Sequence, residues 1–394
     1  MRAFYNADAS IQGKHGENSQ SDTSQRPITM KTPKSILVVA TLRIGDVLLT
    51  TPLIRSLRQA WPQASITALV FEGTEGILRN NPDLDAIITV SRRPAFQEHL
   101  RLLWRLWRGY DLAISTMTND KATLYARIGG KCAVGAIDAG TKHQWKRRLL
   151  SRYCETEIVN THTVLNYLRL ADLLNIKRSH EVVVGWNNQN VESINSKIPF
   201  DVRVESYVVI HAYPMYIYKA WRQDTWYELG RWLEQNRIRI VLTGGNDVAE
   251  MAKVRELQRM MPDGTVNLAG ELGFSEVAYL LSKARAYVGP DTVVTHLAAA
   301  VGIPTVALFG PSNPVKWGPW PKGYDKDEDP YRRRGTQHVG NVALLQGEGD
   351  CVPCMEEGCD RHINSLSRCL QELSVTSVSR ALVQIGAIAE RKVQ

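Results

Sequence analysis

Residues 287–310, YVGPDTVVTHLAAAVGIPTVALFG, press a turn, a helix and a strand into one short run, a sequence of elements that belongs to chains alternating strand with helix. Asp291 is placed to cap a helix running through Ala300. Gly302 and Pro304 supply its stop, and Thr305–Phe309 reads as a short strand buried on both faces. The start of such a helix carries unpaired N–H groups at the positive end of the helix dipole, so a phosphate is its natural guest.

The same alternation runs through the chain. Ser35–Ala40 reads as a buried strand, a loop passes Gly45, one long helix covers Asp46–Ala60, and Ser65–Phe71 is again strand, which makes a βαβ unit. Further strands are expected at Ala86–Val90 and Leu112–Ser115. Between them Leu100, Leu103, Trp104 and Trp107 recur at helical spacing within Gln97–Arg108, and this stripe is read as core. A second cycle places strands at Ser206–His211, Ile238–Thr243, Thr265–Asn267 and Ala286–Val288. Helices are expected at Thr225–Gln235, Val248–Met260 and Phe274–Lys283. Two doubly wound halves result, divided near residue 190 in the polar link Val184–Val204. The span Trp317–Cys369 reads as loop-rich, and Ser374–Glu390 as a final helix.

A chain of 394 residues has material for two cores. No apolar run approaches the roughly 20 residues that cross a bilayer, and residues 1–33 are polar without an apolar signal core. They are read as a disordered tail, and the protein as cytoplasmic. The net charge of +8 is unevenly spread: between Arg92 and Arg152 there are 13 Lys or Arg against four acids, with Trp104, Trp107 and Trp145 among the cations. The stretch is either a solvated basic face or a seat for an anionic partner. No nucleic-acid-binding module accompanies it, which favours a lipid headgroup or a phosphorylated glycan over nucleic acid.

Four runs taken together carry a resemblance: ILVVATLRIGDVLLTTPLIRSLRQAWP, IHAYPMYIYKAWRQDTWYELG, the LTGG of Leu242–Gly245, and DTVVTHLAAAVGIPTVALFGPSNPVKWGPW. In order and spacing they resemble glycosyltransferase family 9, which includes the heptosyltransferases of lipopolysaccharide core assembly. The resemblance implies a GT-B fold, that is, an α/β protein of two Rossmann-like doubly wound domains facing a central cleft. The acceptor domain would span residues 34–190 and the nucleotide-sugar domain residues 191–373, followed by the helix in 374–394.

It also implies an ADP-heptose donor and an inverting transfer. A base must deprotonate the acceptor hydroxyl, and a cationic pocket must stabilise the departing diphosphate. Asp46, which by itself reads first as a helix cap, matches the family's proposed base. At a helix start its basicity should be weakened. Lys219, before Ala220 and Trp221, matches the family's leaving-group cation. Thr243, Gly244, Gly245, Asp291, Thr292, Thr295, His296 and Gly310 are assigned to the donor. Of these, the glycines read as backbone approached by a ligand or as plain turns, and His296 as donor contact or packed residue. Val293 and Val294 depart from the small residue or Pro that many relatives carry there. Arg43, Arg92, Arg93 and Lys121 are assigned to an anionic lipopolysaccharide core acceptor at the inner membrane face, where the enzyme would sit peripherally.

The chemistry asks for no cofactor. Cys351, Cys354, Cys359 and Cys369, spaced C-x2-C-x4-C-x9-C, are nevertheless read as a structural Zn or Fe site, as in some relatives. Two other readings stand beside the first: a relative using another nucleotide sugar or a protein acceptor, or an epimerase, and a non-catalytic sugar-nucleotide-binding protein. The presence of Asp46 argues against the last.

Overall fold

A computed structural model describes residues 31–138, 144–156 and 160–389. All but the last three residues of the expected tail, and Glu390 of the expected final helix, lie outside them.

Two parallel sheets organise the chain. The first holds β1 (Ser35–Val39), β2 (Ser65–Phe71), β3 (Ala86–Val90), β4 (Tyr110–Ser115), β5 (Gly130–Asp138) and β6 (Arg152–Thr156), in the order β3-β2-β1-β4-β5-β6. The second holds β7 (Tyr207–His211), β8 (Arg239–Thr243), β9 (Val266–Asn267), β10 (Ala286–Pro290), β11 (Thr305–Phe309), β12 (Gln337–Val339) and β13 (Val342–Gln346). Its order is β12-β13-β11-β10-β7-β8-β9, with only β12 antiparallel among the described strands. In each sheet the winding reverses once, between β1 and β4 and between β7 and β10. A crevice opens at the carboxyl ends of the strands at such reversals.

The helices are α1 (Ile44–Leu49), α2 (Thr51–Ala60), α3 (Phe96–Leu106), α4 (Asp120–Gly129), α5 (Gln144–Leu149), α6 (Thr163–Leu173) and α7 (Asn188–Lys197) in the first half of the chain. Then follow α8 (Gln223–Gln235), α9 (Val248–Met260), α10 (Phe274–Lys283), α11 (Val293–Val301), α12 (Pro314–Trp317), α13 (Arg368–Gln371) and α14 (Val375–Gln384). We put the division between the lobes near residue 190, at the start of α7, which packs against α10 of the second sheet's helices. The chain's end returns to the second lobe: Val378, Ala381 and Leu382 of α14 join the core formed by Val208, Ile210 and Trp226.

Three expectations need correction. The long helix Asp46–Ala60 is broken at Thr50, because Pro52 has no N–H to give the carbonyl of Leu48. That carbonyl instead accepts the Thr51 hydroxyl at 2.8 Å, while the Thr50 hydroxyl donates to Val47 at 2.7 Å. The loop-rich span Trp317–Cys369 contains β13, all five residues of which are buried, with β12 folded back upon it. The aromatic stripe of α3 faces outward: the helix buries Leu102 and Leu106, whereas Trp104 and Trp107 are exposed.

The Thr51 hydroxyl also accepts the N–H of Val183 at 2.9 Å, so it serves two buried backbone groups. Thr51→Val keeps the shape and removes both bonds. It should lower unfolding free energy by about 1–3 kcal/mol in a denaturant titration, as unsatisfied buried groups do.

Candidate active site

Both reversal points direct their loops into one gap. Helix α1, after β1, carries Asp46 in its first turn, and helix α4, after β4, carries Lys121 in its first turn. From the second sheet the loop after β7 carries Lys219, and Asp291 follows β10 directly. Helices α1 and α11 pack against each other here, so the two lobes meet at these helix starts.

Asp46 is the third residue of α1. It does not cap the helix: the N-cap position is Arg43, without a side-chain capping bond, and no hydrogen bond or ion pair among the described residues engages the Asp46 carboxylate. Burial pushes its carboxyl up to about 6, against the pull of Lys316, Arg43 and Lys219 and with Asp291 adding to the rise. The weakened base expected from the helix start is therefore corrected. Desolvation outweighs the nearby positive charges, and the group titrates close to neutrality. Tyr167 of α6 also lies within the field of Asp46, its phenol held protonated first by burial and then by that charge.

On the facing side Asp291 does not cap α11, as its sequence position suggested. The N-cap is Thr292, with no side-chain capping bond. The Asp291 carboxylate turns instead to the Lys219 ammonium at 2.6 Å and the Ser312 hydroxyl, also at 2.6 Å. Burial works against its charge, yet Lys219 and His296, with these hydrogen bonds, hold the carboxyl below its usual range. His296 is buried with its Nε2 4.0 Å from Asp291, and burial brings it down to about 4, so the ring is neutral at pH 7. Its Nδ1 has no partner among the described residues. Among the described residues the N–H groups of Val293, Val294 and Thr295 make no backbone bond outside the helix, which leaves an anion seat at the first turn of α11.

Several residues assigned to the donor do other work. The Thr295 hydroxyl is fully buried and bonds the carbonyl of Pro290 and the Tyr287 hydroxyl, the latter at 2.9 Å. Thr243 is buried against His211, with 3.2 Å between its hydroxyl and Nδ1. A Cβ on Gly244 would meet Glu250, Val254 and Ala269 within 3.1 Å, and one on Gly245 would meet Glu250 at 3.0 Å. Those glycines make room for Glu250, whose carboxylate accepts the Gly245 N–H at 2.6 Å. Gly310 is likewise filled by Leu370 and Cys369, at 2.7 and 3.1 Å from a built Cβ.

Among the acceptor residues, Arg43 borders Asp46 and lies 5.8 Å above the Tyr216 ring of the other lobe. Arg92 stacks on Phe71 at 4.6 Å, and it and exposed Arg93 follow β3 on the cleft edge of the sheet. Lys121 is exposed at the start of α4 on the same edge. The four cysteines are free thiols, and no group of three or more His, Cys, Asp or Glu among the described residues is arranged to hold a metal. The reading of a Zn or Fe site is set aside: spacing alone does not bring ligands to bonding distance.

Lys316 is the residue the sequence reading missed, although it lies within the quoted NPVKWGPW. It heads the charges acting on Asp46, and burial in turn lowers its own pKa. Its place is set by the first lobe. The Thr163 hydroxyl donates to the Lys316 carbonyl at 3.0 Å, and His162 Nε2 lies 2.8 Å from the Gly318 carbonyl. Since His162 Nδ1 accepts the Val164 N–H, Nε2 must carry the proton and donate.

Comparison with known proteins agrees with this architecture. The model of glycosyltransferase family 9 (heptosyltransferase) matches residues 99–326. The chain is similar to lipopolysaccharide heptosyltransferase 3 of Escherichia coli K12, with 28% identity over 286 residues, covering 70% of this chain and 82% of that one. It is also similar to lipopolysaccharide heptosyltransferase 1 of Pseudomonas aeruginosa, with 25% identity over 338 residues, 82% of this chain and 87% of that one. Two solved structures share the GT-B fold: a family 9 glycosyltransferase from Veillonella parvula (TM-score 0.70, 18% identity, 89% of this chain and 97% of that one) and E. coli heptosyltransferase WaaC with ADP (TM-score 0.66, 21% identity, 89% and 99%).

The partition of threonines is testable. Thr295→Val should lower the melting temperature while leaving the affinity for ADP within about twofold, read by thermal unfolding and calorimetric titration, because the lost bonds are internal.

Proposed function

Since the chain belongs to glycosyltransferase family 9, we propose that it transfers a heptose from ADP-heptose to a phosphorylated, lipid-linked lipopolysaccharide inner-core acceptor, with inversion at the anomeric carbon. One observation carries this reading: a carboxyl titrating near neutrality stands opposite an uncapped helix start flanked by lysines.

In this mechanism the diphosphate of the donor sits at the first turn of α11, where the N–H groups of Val293, Val294 and Thr295 and the ammonium of Lys219 meet its oxygens. The Thr292 hydroxyl adds a donor at the same turn. The acceptor enters from the first lobe, its phosphates held by Arg43, Arg92, Arg93 and Lys121. Its hydroxyl oxygen attacks the anomeric carbon from the side opposite the diphosphate. The bond to the diphosphate breaks, the leaving oxygen keeps the electron pair, and Asp46 takes the acceptor's proton. Lys316 and Arg43 keep Asp46 ionised in a place where burial alone would protonate it.

The relative that uses another nucleotide sugar has a specific observation in its favour. Val293 and Val294 stand in the first turn of the donor helix, where many relatives carry a small residue or Pro. A thermal-shift screen against ADP-heptose, UDP-sugars and GDP-sugars separates the two, because only a ligand of the folded state raises its melting point. The largest shift is expected with ADP-heptose. A larger one with a UDP- or GDP-sugar replaces the donor assignment.

Asp46→Asn should keep ADP affinity and lose transfer by roughly 100- to 10,000-fold, the range of general base catalysis. The wild-type rate should fall as pH drops through about 6, where Asp46 takes up its proton. Stability follows with the opposite sense. A carboxyl whose folded pKa is raised binds protons more tightly in the native state, so its ionisation destabilises the fold as pH rises from about 4 to 6. Asp46→Asn is therefore expected to raise the melting temperature at pH 7.5 and to leave it nearly unchanged at pH 4. A variant that instead melts lower at pH 7.5 and loses ADP binding would make Asp46 a structural residue.

A further inference from the structure

Helix α3 carries two apolar stripes. On a projection of 100° per residue, Leu102 and Leu106 lie on one arc and are buried in the first lobe's core. Phe96, Leu100, Trp104 and Trp107 fall within about 80° of one another on a second arc, and are 77%, 40%, 79% and 63% exposed. Leu103 lies between the two arcs and packs partly against the core. A soluble helix needs only the first stripe. The second offers large amphipathic rings to whatever meets this flank.

The charge around that stripe has one sign. Arg92, Arg93, Arg101, Arg105 and Arg108 accompany it, and the one acid between them, Glu98, is turned back to accept the Ala95 N–H at 3.1 Å. Beyond the helix's end the Arg108 N–H donates to Ile128 at the end of α4. There a pocket of about 210 Å³ is lined by Arg127, Lys131 and Arg148. Tryptophans bordered by arginines, continuous with a basic pocket, match the interfacial zone of an anionic bilayer, where rings enter the headgroup layer and cations meet phosphate. Among the described residues no helix is long and apolar enough to cross a membrane, so this contact is one of lying on the surface.

We propose that the outer face of α3 docks the enzyme on an anionic phospholipid bilayer. The docking rests on the lipid-linked acceptor proposed above and specifies how that acceptor arrives. Helix α3 starts at the sheet edge that carries Asp46 and ends at the opposite edge, about 16 Å away at 1.5 Å per residue. A bilayer along this flank delivers a headgroup-borne sugar past Arg92 and Arg93 toward the cleft.

The test is vesicle flotation of the full chain at 0.1 M salt, with phosphatidylcholine vesicles and with vesicles containing 30% phosphatidylglycerol. Wild type should bind the anionic vesicles at least tenfold better than the neutral ones. Trp104→Ser with Trp107→Ser should reduce that binding at least tenfold while the thermal shift with ADP stays unchanged. Arg101→Ser with Arg105→Ser should abolish the preference for phosphatidylglycerol. Wild type that does not float, or a tryptophan variant that floats like wild type, overturns the proposal. So does a concentration-dependent dimer in sedimentation that the tryptophan variant loses, since a second copy would then be the occupant. Failure of flotation with intact transfer to a detergent-solubilised acceptor removes only the docking surface. Absence of any response to ADP-heptose removes the donor reading instead.

Discussion

The ion pair between Lys219 and Asp291 sets the electrostatics on which the cleft depends. A carboxylate buried beside a helix start would compete with any phosphate for the same positive field, and two negative groups cannot share it cheaply. With Lys219 and Ser312 both 2.6 Å from one oxygen, the Asp291 charge is spent within the lobe. Lys316, Arg43 and Lys219 then stand against Asp46 and Asp291, so the gap stays net positive even with Asp46 ionised. A diphosphate enters a site already balanced for it.

That balance requires the lobes to keep their distance from each other constant. Part of the constraint is polar and far from the reacting groups. His162 and Thr163, at the start of α6 in the first lobe, hold the backbone at the end of α12 in the second, and one of the two carbonyls they hold is that of Lys316. Burial brings His162 down to about 3, so it stays neutral and its ring remains a fixed donor and acceptor across the working pH range. A contact that does not titrate is suited to positioning a residue that acts on a carboxyl which does.

Much of this was legible in the sequence, and the parts that were not share a physical cause. Buried parallel strands such as Ser35–Val39 and Thr305–Phe309 are continuous apolar runs, and their carboxyl ends locate the crevice without further information. Asp46, Lys219 and Asp291 follow from that placement together with the resemblance to family 9. What a side chain touches does not follow. Thr243 and Thr295 sit at the right strand end and helix turn, yet their hydroxyls satisfy neighbouring backbone and side chains. The glycines after β8 make room for a carboxylate of the next helix. Helix α3 shows the limit of periodicity itself: spacing finds an apolar stripe but carries no sign to say whether protein or solvent lies opposite. The strand Val342–Gln346 is an apolar run of the same length as Ser35–Val39 and Thr305–Phe309, but it follows a long span rich in Asp, Lys, Arg and Gly that reads as loop and is not flanked by a helix on its amino-terminal side.

The opposition of Asp46 and the helix start also couples the two halves of the proposed reaction. A base ionised at neutral pH is needed before transfer, and a stronger base is useful while the proton moves. Lys316, Arg43 and Lys219 hold the Asp46 pKa down so long as they are not neutralised. As the bond to the anomeric carbon lengthens, negative charge gathers on the departing diphosphate oxygen, next to Lys219. The field of that ammonium at Asp46 weakens, and the desolvation that already pushes the Asp46 carboxyl up to about 6 then prevails more fully. The carboxylate thus gains proton affinity as the acceptor hydroxyl becomes acidic.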